Sequence, residues 1–199
     1  MSGPTDAIAE GDYQAYDETI DRTITFRPVE LERDLLRLHD WLTSEHVRPY
    51  WQLPDSLSEF RAKMIEKCND SHLTPYIGSL NHVPMSYWEC YWAENDVLAE
   101  YCETKPADQG IHLLIGPPEY LGAGYATSLV RAVLSMQFTH PATERVLTEP
   151  DVRNDRVIHV FERCGFEPVR EIELPEKDAL VMACSRNRFQ SLQGVMDRA

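Results

Sequence analysis

The stretch from residue 112 to 126, His112-Leu113-Leu114-Ile115-Gly116-Pro117-Pro118-Glu119-Tyr120-Leu121-Gly122-Ala123-Gly124-Tyr125-Ala126, decides how the rest of the chain is read. Its first part continues an apolar run from Gly110 that is too apolar for a surface edge, and it stops at Gly116-Pro117-Pro118, so it predicts a buried strand. A helix follows from about Gly122, with Ala126, Leu129, Val130, Val133 and Leu134 on its apolar face. Glycines at 122 and 124 let the backbone approach a ligand closely, and the first-turn amides of a helix have no internal partners. Those amides and the helix dipole suit an anion such as a pyrophosphate. Plain packing of helix on strand also accounts for a Gly-x-Gly. No Gly-Lys-Ser/Thr follows, so this is not a Walker A loop, and Thr127 stands where a dinucleotide fingerprint needs its third glycine.

Outward from this stretch, alternating segments at Pro75–Leu80 and Val83–Trp92 predict a hairpin turning at Asn81-His82. Before them, Leu31, Leu35, Leu38 and Leu42 recur at helical spacing, and Ser56-Leu57-Ser58-Glu59 opens a second helix with a capping box. Residues 43–55 hold two prolines and two large aromatics and read as a loop. On the C-terminal side, Arg145–Glu149 is a strand ended by Pro150, a helix runs from Asn154 to about Cys164, and Val169–Leu174 and Ala179–Cys184 pair as strands. Residues 187–196 form a short helix. Order is expected to begin at the strand Thr23–Arg27, after an acidic, mobile lead-in over residues 1–22; residues 23–199 then make one α/β domain.

The 199 residues are 43% apolar and 26% charged, an ordinary globular mix. Asp and Glu total 33 against 19 Lys and Arg, a net charge of −14, which disfavours nucleic acid and anionic membranes as partners. Only four of the basic residues are lysine, a balance that fits either a salt-loving source or a plainly acidic protein. No apolar run is long enough to span a bilayer, and the acidic N-terminus lacks a signal-peptide pattern, so a cytoplasmic place is expected. Five scattered cysteines and scattered histidines show no ligand spacing; free thiols and no metal are expected.

A second motif lies thirty residues on: Asn154-Asp155-Arg156-Val157-Ile158-His159-Val160-Phe161-Glu162-Arg163-Cys164-Gly165-Phe166. Alone, Asn154 is a helix N-cap and Gly165 a C-cap. Together with the glycine loop it resembles the GNAT acyltransferase superfamily, in which an Arg/Gln-x-x-Gly-x-Gly/Ala loop opens the helix that grips the pyrophosphate of coenzyme A. Here the loop reads Glu119-x-x-Gly122-x-Gly124, and Phe161 stands where a tyrosine often protonates the leaving thiolate. Phe26-Arg27-Pro28, His46-Val47-x-Pro49-Tyr50-Trp51, Pro84-x-x-Tyr87-x-Glu89-x-Tyr91-Trp92, Asp108-x-Gly110-Ile111-His112 and Glu149-Pro150-Asp151-x-Arg153-Asn154 are similar to the siderophore-biosynthesis branch, with its N6-hydroxylysine acetyltransferases and mycobactin-type lysine acyltransferases.

The resemblance implies a GNAT fold: a mixed, mostly antiparallel twisted sheet splayed between strands 110–116 and 145–149, with helices on both faces. It implies His112 and Asp151 as the catalytic pair. An acyl-CoA co-substrate would lie on Leu113, Leu114, Ile115, Glu119, Tyr120, Leu121, Gly122, Ala123, Gly124, Tyr125, Ala126, Asn154 and Phe161. His46, Tyr50, Trp51, Tyr87, Glu89 and Tyr91 would shape the acceptor pocket. An imidazole with an ordinary pKa near 6.5 suits a general base, and the Leu114 amide is a candidate oxyanion donor. Each has a bland counterpart: a buried, bonded histidine, a turn aspartate, aromatics filling a core.

The expected reaction is direct transfer of an acyl group to an N-hydroxylated amine, N6-hydroxylysine or an N-hydroxy-diamine, forming a hydroxamate. The partners are then small molecules, and the chain a monomer or homodimer. Two alternatives stand beside it: a generic GNAT N-acetyltransferase of a protein N-terminus or small amine, and a non-catalytic CoA- or protein-binding module.

Overall fold

A computed structural model describes residues 12–51 and 56–196. One eight-stranded sheet runs through it in the order β1-β2-β3-β4-β5-β6-β8-β7. The strands are β1 (Tyr13–Asp17), β2 (Arg22–Pro28), β3 (Leu73–Leu80), β4 (Val83–Trp92), β5 (Gln109–Ile115), β6 (Arg145–Thr148), β7 (Glu167–Glu173) and β8 (Asp178–Ser185). The helices are α1 (Leu31–Leu42), α2 (Leu57–Asn69), α3 (Tyr125–Gln137), α4 (Asp155–Arg163) and α5 (Arg186–Met196). Every neighbouring pair is antiparallel except β5 with β6.

Alternation along the central strands divides the core between the two faces. On one side Ile77, Tyr87 and Leu114 pack against Leu38, Trp41 and Leu42 of α1 and Phe60 and Met64 of α2. On the other, Trp88, Cys90, Ile111 and Ile115 pack with Leu129, Val130, Val133 and Leu134 of α3. The Ser56 hydroxyl caps α2 by accepting from the Glu59 amide at 3.3 Å. Buried Asp34 fastens α1 to β2: its two oxygens take the Arg27 guanidinium at 2.6 and 2.7 Å, and Arg37 adds a bond at 2.9 Å.

One expectation is corrected at the N-terminal end. Order does not wait for Thr23, because β1 pairs with β2 from Tyr13↔Phe26 to Asp17↔Arg22. The turn between them is fixed by the Asp17 carboxylate, which accepts from the amides of Thr19 and Ile20. The strand has little aliphatic content, and Tyr13 alone brings a large ring to the core, 6.0 Å from Phe26, so its period is faint in sequence. The remainder of the expected lead-in, residues 1–11, lies outside the described residues.

The feature that positions the site is the parting of β5 and β6. Their parallel pairing is limited to Gln109↔Val146 and Gly110↔Leu147. Asp108 anchors the start, taking Nε and Nη2 of Arg145 at 3.0 and 2.6 Å, and the Thr148 hydroxyl makes a last tie to the Ile111 carbonyl at 3.1 Å. Beyond that the strands diverge, and a cavity of about 470 Å³ opens beside His112, Leu113, Thr148 and Glu149.

Candidate active site

The β4–β5 register builds the reactive face. Tyr87, Glu89 and Tyr91 lie opposite Leu114, His112 and Gly110. Gly110 is required there: a Cβ would sit 2.1 Å from the Tyr91 ring, which folds over it to lie 4.9 Å from the His112 ring. The Tyr91 hydroxyl donates to Oε2 of Glu149 at 2.8 Å, and Oε1 of Glu149 is in short contact with Nε2 of His112. On the other side of the ring, Nδ1 of His112 meets Oε2 of Glu89 at 3.1 Å. Glu89 Oε1 accepts from the Tyr87 hydroxyl at 2.7 Å and from Lys67 Nζ at 2.8 Å. His112 is thus held between two buried carboxylates, each steadied by a tyrosine.

These neighbours reverse the usual charge of the imidazole at neutral pH. Burial pulls the His112 pKa down, but the Glu149 charge and the bonds to Glu149 and Glu89 outweigh it and hold the value at about 10. Burial pushes the Glu89 carboxyl up, yet its bond to His112 and the Lys67 charge bring it to about 2. Glu149 is likewise pushed up by burial and pulled below its ordinary range by the charge and hydrogen bond of His112. Burial, then the adjoining carboxylates, raise Tyr87 and Tyr91 well above 10, so both keep their protons.

Several sequence expectations are revised by this arrangement. Asp151 does not bond His112; its oxygens take Nε and Nη2 of Arg153 at 2.9 and 2.6 Å and the Arg153 amide at 2.8 Å. The carboxylate that reaches the ring is Glu149, two residues earlier at the same strand end, a position the sequence reading quoted without assigning it a role. His46 is a fastener, with Nε2 2.9 Å from the Ile115 carbonyl, and it does not line the cavity. Tyr87 and Tyr91 lie behind the carboxylates, whereas Tyr50, Trp51 and Glu89 line the cavity. Lys67 and Lys177 also line it and had no part in the sequence reading.

Leu114 is corrected twice. Its side chain is buried against α1 and α2 rather than turned to the opening. Gly116 N–H donates to the Met85 carbonyl at 2.9 Å, and the unbroken register carries that phase along the ladder. Tyr87/Leu114 and Glu89/His112 are therefore the pairs that exchange hydrogen bonds, while the amides of Ile111, Leu113 and Ile115 point toward β6. Leu113, which lines the cavity, offers the amide that the opening can use.

At the glycine corner, Glu119 and Tyr120 lie in a 3-10 turn (Pro118–Tyr120), Leu121 and Ala123 are exposed, and Tyr125 and Ala126 begin α3. Gly122 and Gly124 adopt φ of +75° and +82°, and a Cβ on either would meet nothing within 4 Å. Packing therefore does not explain these glycines. The left-handed backbone does, together with open space above the first amides of a 13-residue helix, the geometry that fits a phosphate diester. Asn154 and Phe161 line the far wall, Asn154 also capping α4 by accepting from the Val157 amide at 3.3 Å, and Phe161 packing at a tilt against Phe166 with ring centroids 4.9 Å apart. The corner, the exposed amides and the parted strands fit a long thioester donor bearing a pyrophosphate.

Residues 30–174 match the family model described as "Acetyltransferase (GNAT) domain". The chain is 30% identical over 178 residues to N(6)-hydroxylysine O-acetyltransferase of Escherichia coli, covering 89% of this chain and 56% of that protein, so it spans little more than half of the relative's length. It is similar to the crystal structure of an uncharacterized protein from Bacillus halodurans, at 43% identity and a TM-score of 0.89 over 91% of this chain and 93% of that one. It is also similar to aminoglycoside acetyltransferase AAC(6')-Ib in complex with ribostamycin and coenzyme A, at 30% identity and a TM-score of 0.77 over 84% and 96% of the two chains.

Proposed function

Because the chain belongs to the GNAT acetyltransferase family, we propose that it transfers an acyl group from acyl-CoA to an N-hydroxylated small-molecule amine, producing a hydroxamate. The observation that carries this reading is the Glu89–His112–Glu149 array, placed where β5 and β6 part and facing the cavity. The relative that acts on hydroxylysine supports the acceptor class.

Each part of the site has a task in this reading. The amides at the start of α3 and the glycine corner hold the donor's pyrophosphate. The Leu113 amide faces the thioester carbonyl and donates to the oxygen as it becomes anionic. A hydroxylamine is less basic than an alkylamine, so its nitrogen arrives largely neutral and attacks directly. The carbon–nitrogen bond forms and the carbon–sulfur bond breaks as the resting His112 imidazolium gives its proton to the departing thiolate, which Phe161 is unable to do. The neutral imidazole left between Glu89 and Glu149 then takes the nitrogen's proton, so the array ends as it began. The base role expected of His112 thus follows its service as the acid.

The similarity to an aminoglycoside-bound structure favours a second reading, in which a polyamine sugar is the acceptor. One assay separates them: thiol release from acetyl-CoA with N6-hydroxylysine, lysine and ribostamycin, with products identified by mass spectrometry. The proposal expects an N-acylated hydroxamate and faster turnover of the hydroxylamine. Preferred turnover of ribostamycin supports the second reading, preferred turnover of lysine supports a generic small-amine N-acetyltransferase, and CoA binding with no turnover supports a non-catalytic module.

A further inference from the structure

Two of the chain's four lysines line this cavity, and they are not equivalent. Lys67 is committed, with Nζ on Glu89 at 2.8 Å. Lys177 Nζ stands 3.9 Å from Glu149 Oε1, beyond hydrogen-bonding range, and both oxygens of Glu149 already hold donors, from His112 and Tyr91. Asp151, also on the cavity wall, is taken up by Arg153. Among the described residues, then, the Lys177 ammonium makes a long ion pair with Glu149 at 3.9 Å, and its side chain is only 18% exposed. Lysines normally extend their charge into water, and an ammonium held this far in, with its N–H donors left over from a long ion pair, has bonds to offer a ligand anion.

The backbone keeps this lysine where it is. Leu174 and Lys177 close the β7–β8 turn with reciprocal bonds of 2.9 and 3.3 Å. The turn is stitched to the segment after β6 by Val152 N to Asp178 O at 3.0 Å, Leu180 N to Pro150 O at 2.9 Å and the Asp151↔Ala179 bridge. The backbone therefore roots the Lys177 side chain at the edge of the cavity, within reach of the reacting array.

We infer that Lys177 binds a carboxylate carried by one of the two substrates, either the α-carboxylate of an amino-acid acceptor or the terminal carboxylate of a dicarboxylic acyl group. This deepens the acyl-transfer reading above and rests on it.

The test crosses two acceptors, N6-hydroxylysine and its decarboxylated counterpart N-hydroxycadaverine, with two donors, acetyl-CoA and succinyl-CoA. It compares kcat/KM for the unaltered protein, Lys177→Met and Lys177→Arg. The unaltered protein is expected to favour the carboxylate-bearing member on one axis by about tenfold or more, the worth of one charge-assisted bond. Lys177→Met should bring that ratio toward one, and Lys177→Arg should keep most of it; the axis that collapses identifies which substrate carries the anion. Unchanged ratios on both axes in Lys177→Met overturn this inference alone. No transfer to either hydroxylamine by the unaltered protein overturns the proposed function, and this inference with it.

Discussion

Glu89 and His112 stand directly opposite each other across the β4–β5 ladder, and their side chains meet at 3.1 Å. A cross-strand pair is the closest approach two side chains on one face of a sheet can have, so the contact is set by register and not by loop conformation. Glu149 closes the array from the third strand because β6 runs parallel to β5 only long enough to deliver its end beside the ring.

The first consequence concerns the titration of His112. Its midpoint, followed by NMR of the imidazole Cε1–H, is expected at about 10 rather than 6.5. Glu149→Gln removes the largest raising influence and leaves burial in place, so the midpoint should fall from about 10 toward the ordinary value. A midpoint near 6.5 in the unaltered protein would contradict the described charge state.

Stability should follow pH with a defined sign. His112 is raised from 6.5 to about 10, so its contribution is complete below 6.5 and is lost as pH rises through 10. Glu89 is lowered from 4.5 to about 2, so its contribution is complete above 4.5 and is lost as pH falls toward 2. Urea midpoints should therefore decline from pH 6.5 to pH 10, and the decline should be shallower in Glu149→Gln. An equal decline in both proteins would assign it to other groups.

Two glycine substitutions should fail in different ways. Gly124→Ala adds a methyl that meets no protein atom, so its cost is the strained φ of +82°, roughly 1 kcal/mol of stability. Its main effect should be a loss of acyl-CoA affinity, measured by calorimetry. Gly110→Ala drives a methyl into the Tyr91 ring, so it should lower the Tm by several degrees and displace the Tyr91 hydroxyl from Glu149, reducing turnover as well. Normal acyl-CoA affinity in Gly124→Ala would remove the glycine corner from the donor site.

Much of this arrangement was legible in sequence because it depends on local periodicity. The 110–116 strand, the glycine corner and the face shared by Tyr87, Glu89 and Tyr91 all follow from period-two alternation and turn chemistry. The partners of His112 did not, since Glu149 reaches it only through the splay between two strands 30 residues apart in sequence. Of Glu149 and Asp151, it is Glu149 that meets the His112 ring, while Asp151 bonds Arg153. Both lie at one strand end, and only the twist of the strand past Thr148 shows which carboxylate turns inward and which turns to Arg153. Lys67 and Lys177 lie on a helix and a hairpin turn, where sequence alone reads solvated charge.

The claim that the Glu89–His112–Glu149 array carries the proton of acyl transfer is tested most directly by kcat for hydroxamate formation in His112→Gln at saturating acetyl-CoA and N6-hydroxylysine. The account predicts a fall of about 10²-fold or more, the usual worth of positioned proton transfer, with acyl-CoA affinity within about twofold of the unaltered protein. A kcat within about threefold of the unaltered value would contradict it.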